Sequence, residues 1–306
     1  MDDVRAWLEA RRAFGMALGL DTTRRLLIAL NRPDLRTSTV LHVAGSNGKG
    51  TLCAIMAAKA QDLGHITVLF TSPHVARIEE RVRVNGRPVS AERFDEAILR
   101  VKTCAEALKV EPTYFETTML IAWAVCDLVK ADVMVQETGL GGRLDATRAT
   151  KADLAVVTAV SVEHTSVLGS TRSEIMAEKA AIARPGKPLL IRDPEDDVVL
   201  DAARQTAQRA GSYDLEKSGP ASEVIVVHVP EGADVRKEAS HLAHAACQVL
   251  GWPTEGLDAL ATRIRWPARG QWVDEADSAC GPLLIDAAHN PSGLERALPG
   301  LSLIHI

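Results

Sequence analysis

One stretch limits what this chain can become. Thr39-Val40-Leu41-His42-Val43 is a short β-branched run, Ala44 to Thr51 reads AGSNGKGT, and Leu52, Ile55, Met56, Lys59 and Leu63 recur at helical spacing. Strand, glycine loop and helix in that order suit a phosphate. Glycines let backbone N–H groups crowd inward, and the helix N-terminus adds partial positive charge. Lys49 brings a full charge to the outer phosphates, and Thr51 offers a hydroxyl to phosphate or Mg²⁺. The competing reading is a glycine-rich turn that binds nothing, but Gly-Lys-Gly-Thr stands at the helix start that the chemistry needs. The spacing departs from the common G-x-x-x-x-G-K-[ST] loop. Val43 occupies the place of the first glycine, Gly50 that of the hydroxyl residue, and the hydroxyl arrives one residue late at Thr51.

The remaining polar landmarks fall where strands end. His65 to Phe70 reads as a strand closing in Thr71-Ser72-Pro73-His74, and Ala131 to Gln136 as a strand with Glu137 at its carboxyl end. Ala152 to Val160 is almost wholly apolar, hence a central parallel strand, and leads to Ser161-Val162-Glu163-His164-Thr165. In a parallel sheet ligands bind at that edge. Ser72, Glu137 and His164 converging on the phosphate loop read as a divalent-metal site, although a Ser-Pro turn alone is ordinary loop chemistry and a lone histidine is more often a hydrogen-bonded structural residue. Mg²⁺ prefers oxygen ligands, and the histidine would also suit Mn²⁺. Between these strands the pattern predicts helices over 2–18, from Thr22 to Leu30, over 91–109, from Thr113 to near Lys130, and from a capping box at Thr171 and Glu174 to Arg184.

Bulk properties exclude several classes. The chain has 306 residues, 46% apolar and 25% charged, enough for one large core or two domains of a soluble protein. A net charge of −5 gives no basic field for nucleic acid or anionic membrane. No uncharged apolar run reaches the ~18 residues of a membrane span. Cys53, Cys104, Cys126, Cys247 and Cys280 are scattered in apolar segments without a C-x-x-C pair, which points to reduced thiols and the cytoplasm.

His42 to Thr51 resembles the loop of folylpolyglutamate and dihydrofolate synthases, a branch of the Mur ligase family, whose pattern is H-V-A-G-T-N-G-K-G-S. Further stretches are similar to motifs of that family in the same order. Thr71 to Val75 matches T-S-P-H-L and Glu80 to Gly86 matches E-R-I-R-V-N-G. Thr113 to Glu116 is T-Y-F-E, Gly139 to Thr147 is G-L-G-G-R-L-D-A-T, and Glu163 to Thr165 stands for D-H-T. Glu178 to Ile182 matches E-K-A-G-I, Pro267-Ala268-Arg269 stands for P-G-R, and Asp286 to Pro291 for D-G-A-H-N-P.

The resemblance implies an α/β fold: a mostly parallel sheet in a Mur ligase-like P-loop domain (1–266), then the start of a second Rossmann-like, glutamate-binding domain (267–306). It implies ATP held by Gly45, Ser46, Asn47, Gly48, Lys49, Gly50, Thr51 and, at the hinge, Arg269. It implies two Mg²⁺ ions on Ser72, Glu137, His164 and Lys179, with Lys179 carbamylated, although composition alone would put that lysine on the surface. Lys179, His164, Asp286 and His289 are then the catalytic candidates, and Thr113, Phe115 and Asp145 the substrate-binding ones. Phe115 reads equally well as core. His241 stands where the family usually has a nucleotide-touching asparagine, so no adenine ligand is named.

The implied reaction is ATP-dependent amide formation in folate metabolism. An acyl phosphate of dihydropteroate or folate is attacked by L-glutamate, in a cytoplasmic monomer. Alternatives are another Mur-type ligase, of peptidoglycan precursors or cyanophycin, or an ATP-binding piece without ligase activity. Family members continue for roughly a hundred residues past the last motif. The final six residues, Leu301 to Ile306, resemble a translated sequencing adapter, so a C-terminally truncated chain is expected.

Overall fold

The computed structural model describes residues 2–15, 19–210, 220–264, 266–267, 271–273, 283–285 and 294. Eight strands form one sheet: β1 (Thr39–Ala44), β2 (Thr67–Phe70), β3 (Val82–Val84), β4 (Arg87–Pro88), β5 (Val133–Glu137), β6 (Leu154–Val157), β7 (Leu189–Arg192) and β8 (Val224–Val227). Their order is β4-β3-β2-β5-β1-β6-β7-β8. The run from β2 to β8 is parallel, and β3 and β4 add an antiparallel edge. The sheet is therefore mostly parallel, as the apolar strand runs predict.

β1 is inserted between β5 and β6, so the chain direction across the sheet reverses on either side of it, which opens a crevice at the carboxyl ends. Register fixes what reaches that crevice. Val43 lies opposite Glu137, and Ala44 opposite Val157. Phe70 lies opposite Gln136, which brings Ser72 to the level of Glu137.

The helices are α1 (Asp2–Ala10), α2 (Asp21–Ala29), α3 (Pro33–Arg36), α4 (Lys49–Asp62), α5 (Ala91–Leu108), α6 (Tyr114–Val129), α7 (Thr165–Leu168), α8 (Arg172–Ala180), α9 (Asp197–Gln208), α10 (Val235–Leu250) and α11 (Leu257–Arg263). On one face α4 packs its Leu52, Ile55, Met56 and Ala60 on the sheet and under Leu242, Ala246 and Leu257 of α10 and α11. It is buried nearly all round, so it lacks the polar stripe of a surface helix. On the other face α6 is sealed from Glu116 to Cys126 beneath α5, and its Trp123 is fully buried. Farther along that face α8 and α9 close a third cluster over β6 and β7. No helix among the described residues is long and apolar enough to cross a membrane.

Two helices end earlier than the periodicity predicts. The first stops at Ala10 and tightens into a 3₁₀ turn over Arg11–Phe14. The helix from Thr171 keeps its capping box but stops at Ala180 instead of Arg184. Its last carbonyls are taken by other groups. Arg143 N–H donates to Glu178 O at 3.0 Å, and Gly142 packs so closely on the final turn that a Cβ there would lie 2.6 Å from the same oxygen. The guanidinium of Arg184 turns inward to the carbonyls of Arg148, Thr150 and Ile182.

Past Pro267 the structure gives one antiparallel pair, β9 (Gln271–Val273) with β10 (Leu283–Ile285). The rest of the expected second domain, with Arg269, Asp286 and His289, lies outside the described residues.

Candidate active site at the rim of the sheet

The glycine loop is built by two backbone demands. Gly48 caps α4 in the left-handed region (φ 87°), and Gly45 has φ 145° with no room for a side chain: a Cβ would lie 1.9 Å from Thr158 Oγ1. Thr158 holds the loop by donating its hydroxyl to Asn47 O at 2.7 Å. Ser46 N–H donates to Ala159 O at 2.7 Å, and Ser161 N–H donates to Ser46 Oγ at 3.1 Å. The end of β6 is thus the splint of the β1 loop. Lys49 Nζ curls onto the loop carbonyls, 2.9 Å from Gly45 O and 3.3 Å from Ser46 O.

Three of the expected groups meet at the first turn of α4. Ser72 N–H donates to Glu137 Oε2 at 3.1 Å, joining the ends of β2 and β5. Both carboxylate oxygens of Glu137 come within 3.6–3.7 Å of where a Gly50 Cβ would stand, and Trp266 Nε1 within 3.1 Å. A Cβ at position 50 would press on the indole and touch the carboxylate, and the loop's hydroxyl stands one residue on, at Thr51. Thr51 Oγ1 is buried without a hydrogen-bond partner among the described residues.

Lys179 is not a surface residue. It is 2% exposed, with Nζ 2.8 Å from Glu163 Oε1 and 3.1 Å from Gly45 O. Burial first, and then the charge of Lys49, push its amine down to about 8 against the attraction of Glu163. Burial acts to raise the Glu163 carboxyl, but the charge and hydrogen bond of Lys179 outweigh it and hold it below its ordinary value. Glu163 is the site residue that sequence reasoning passed over. Its neighbour His164 is exposed, takes the left-handed conformation (φ 46°) and starts the short α7. Two sequence signals point to Glu163: its strand-end position, and its place as the acidic residue of the stretch that stands for D-H-T.

Among the described residues no three His, Cys, Asp or Glu side chains gather as a metal cluster. What does fit a hard cation is oxygen chemistry: the unpartnered Thr51 hydroxyl and the buried Glu137 carboxylate, both at the positive end of α4.

The substrate candidates form a second wall. Thr113 and Glu116 make a reciprocal capping box at the start of α6, and Glu116 also accepts from Thr23 Oγ1 at 2.9 Å. The Thr113 hydroxyl donates to Glu116 Oε2 at 2.8 Å, so its first role is structural. Phe115 lies 5.8 Å from Phe70 and closes so tightly over Gly139 that a Cβ there would meet its ring at 2.5 Å. Asp145 is buried and organises the loop after β5. It accepts from the N–H groups of Gly139 (3.0 Å), Leu140 (2.9 Å) and Thr147 (3.0 Å), and from the Thr147 hydroxyl. Replacing Asp145 with Ala should cost about 3 kcal/mol, because several buried donors lose their acceptor at once. Asp145→Asn, which keeps one acceptor oxygen, should cost less, and urea denaturation of both variants checks the difference.

A glycine loop on the middle strand of a parallel sheet, opening a buried helix beside two lysines and a carboxylate, defines a P-loop nucleotide-binding enzyme. The chain is 31% identical over 324 aligned positions to the dihydrofolate synthase/folylpolyglutamate synthase of Bacillus subtilis, covering 96% of this chain and 74% of that one. It superposes on Escherichia coli FolC in complex with DHPP and ADP at a TM-score of 0.81, with 27% identity over 98% of this chain and 75% of that one. It also superposes on a bifunctional folylpolyglutamate synthase/dihydrofolate synthase holding Mn, AMPPNP and L-glutamate, at a TM-score of 0.81 with 26% identity, over 97% of this chain and 74% of that one. No protein-family model matches. The chain belongs to the dihydrofolate synthase/folylpolyglutamate synthase family, whose members are ATP-dependent ligases, and spans about three quarters of the length of the Bacillus relative.

Proposed function

We propose that the chain forms an amide between L-glutamate and the carboxyl group of dihydropteroate, of a folate, or of both, acting as a cytoplasmic monomer. The observation that carries this is the junction of Lys49, Thr51, Glu137 and Lys179 around one loop. A carboxylate oxygen of the substrate attacks the γ-phosphorus of ATP, ADP leaves, and an acyl phosphate results. The glutamate amine then adds to the acyl carbon, and the tetrahedral adduct expels phosphate.

The chain's part is positioning and charge neutralisation. The amides of Gly45 to Thr51 and the Lys49 ammonium would take the phosphates, with Lys49 leaving its loop carbonyls to do so. Ser72, Thr51, Glu137 and His164 would hold two Mg²⁺ ions together with a carbamate on Lys179. Bound there, Mg²⁺ would neutralise charge on the transferring phosphoryl group. Arg269, Asp286 and His289 are assigned to ATP at the hinge and to the incoming glutamate. Phe115 would pack on the pterin-bearing substrate, with Thr113 and Asp145 setting the wall behind it.

A lysine held near 8 keeps a reactive neutral fraction at neutral pH that an ordinary lysine lacks. With ¹³C-bicarbonate, a carbamate resonance is expected to grow as pH rises from 7 to 8.5 and to be absent from Lys179→Met. The same shift has a stability sign. The folded amine loses its proton before the unfolded one, so its contribution to stability rises with pH from about 8 up to the ordinary lysine value.

The test of the activity is ADP release from ATP with dihydropteroate and L-glutamate. Release that requires both acceptor and amine supports the ligase. Nucleotide binding with no release under any combination would make the chain an ATP-binding piece.

A further inference from the structure

Arg81 closes the 3₁₀ turn Ile78–Arg81 that leads into β3, and it is 9% exposed. Its Nε donates to His74 Nδ1 at 3.0 Å, and its guanidinium lies 5.4 Å from the centre of the Tyr114 ring. Among the described residues no carboxylate stands within ion-pair distance of it, and its two terminal nitrogens have no hydrogen-bond partner. His74 adds no negative charge. Its Nδ1 accepts from Arg81, so in this pair its proton sits on Nε2. Burial lowers the pKa of Arg81, and the carboxylates that offset this, Glu137 and Glu9, act only from beyond ion-pair distance; native proteins usually pair a guanidinium buried this far directly.

The surroundings specify the missing anion. Tyr114 also carries Arg12, whose guanidinium lies 4.2 Å from the ring centre and donates to the phenol oxygen at 2.9 Å. Two cations thus flank one aromatic ring, with Glu9 the acidic partner of Arg12. Phe115 is next in the chain and covers Gly139, two residues past Glu137, whose charge reaches Arg81. The guanidinium of Arg81 thus lies beside the Tyr114 ring and within reach of the charge of Glu137 at the rim of the sheet. Phosphates already have the helix N-terminus and Lys49.

We propose that Arg81 is the carboxylate-recognition residue of the acceptor site, receiving the acid group of an aromatic carboxylate whose ring packs on the Tyr114–Phe115 side. This rests on the ligase reading and adds to it the group that aims the reacting acid at ATP. One oxygen pairs with the planar fork of Arg81, and the other stays free to attack. Arg12 supports Tyr114 and adds long-range attraction for the same charge.

The test uses pteroate and its carboxamide, titrated calorimetrically into the chain with saturating AMPPNP and Mg²⁺. The unmodified chain should prefer the acid by roughly 10- to 100-fold, the scale of a charge-assisted pair. Arg81→Met should erase that preference while AMPPNP binds as before, and Arg81→Lys, which keeps charge but not the fork, should retain part of it. If Arg81→Met does not fold, the loss in Arg81→Lys alone decides the matter. Undiminished preference in a folded variant overturns the assignment. So does weakened AMPPNP binding with the acid-to-amide ratio intact, which would make Arg81 a phosphate contact. An unmodified chain that binds AMPPNP but neither pteroate nor its amide overturns the folate-type substrate, and the proposal with it.

Discussion

Lys49→Ala is expected to lower ATP-dependent glutamate ligation by roughly 100- to 1,000-fold or more, the usual loss when one charge-stabilising donor is removed from a reacting centre. The folded state should be nearly unaffected. Lys49 is half-exposed and its contacts are two carbonyls of its own loop, so nothing in the core depends on it. Coupled ADP release measured beside a thermal melt separates the two effects. Retained turnover in a folded variant would remove Lys49 from the mechanism.

Gly45→Ala should do the opposite, damaging fold and site together. The residue has φ 145°, and its new Cβ would be driven into the Thr158 side chain that splints the loop. Backbone strain and overpacking together predict a loss of about 3 kcal/mol. Nucleotide affinity should fall as well, because the amides of the loop would no longer converge. Gly45→Ala combined with Thr158→Ala should recover part of the stability by removing the nearest clashing atom, but not the affinity, since the splinting hydroxyl is gone too. Urea denaturation and AMPPNP titration of the single and double variants check this.

These two residues were legible in the sequence because glycine spacing and a lysine at a helix start have few other physical meanings. So was the meeting of Ser72 and Glu137, which follows from strand ends in a parallel sheet. Lys179 was legible only through resemblance. Nothing in its helix marks it as buried; it is the tertiary approach of α8 to the β1 loop that buries it. Glu163 escaped because loops have no period. The left-handed turn at His164 leaves that histidine exposed while the preceding side chain reaches inward, and sequence gives no sign of such a twist. Thr113 and Asp145 show a different limit. Their letters fit a binding pattern, but their oxygens hold a helix start and a loop in place. Arg81 falls inside a matched motif but carries no role there, because a basic residue in an edge segment is ordinarily solvated, and its burial makes it unusual.

The enclosure of α4 by the sheet below and by α10 and α11 above sets how this enzyme can respond to its fuel. A rod clamped on every side has no neighbouring well to slide into. Among the described residues, nucleotide arrival can therefore be answered by lysine side chains and by the turns at the crevice mouth. The phosphate cradle is the stator of the machine, and every moving part must be sought around it.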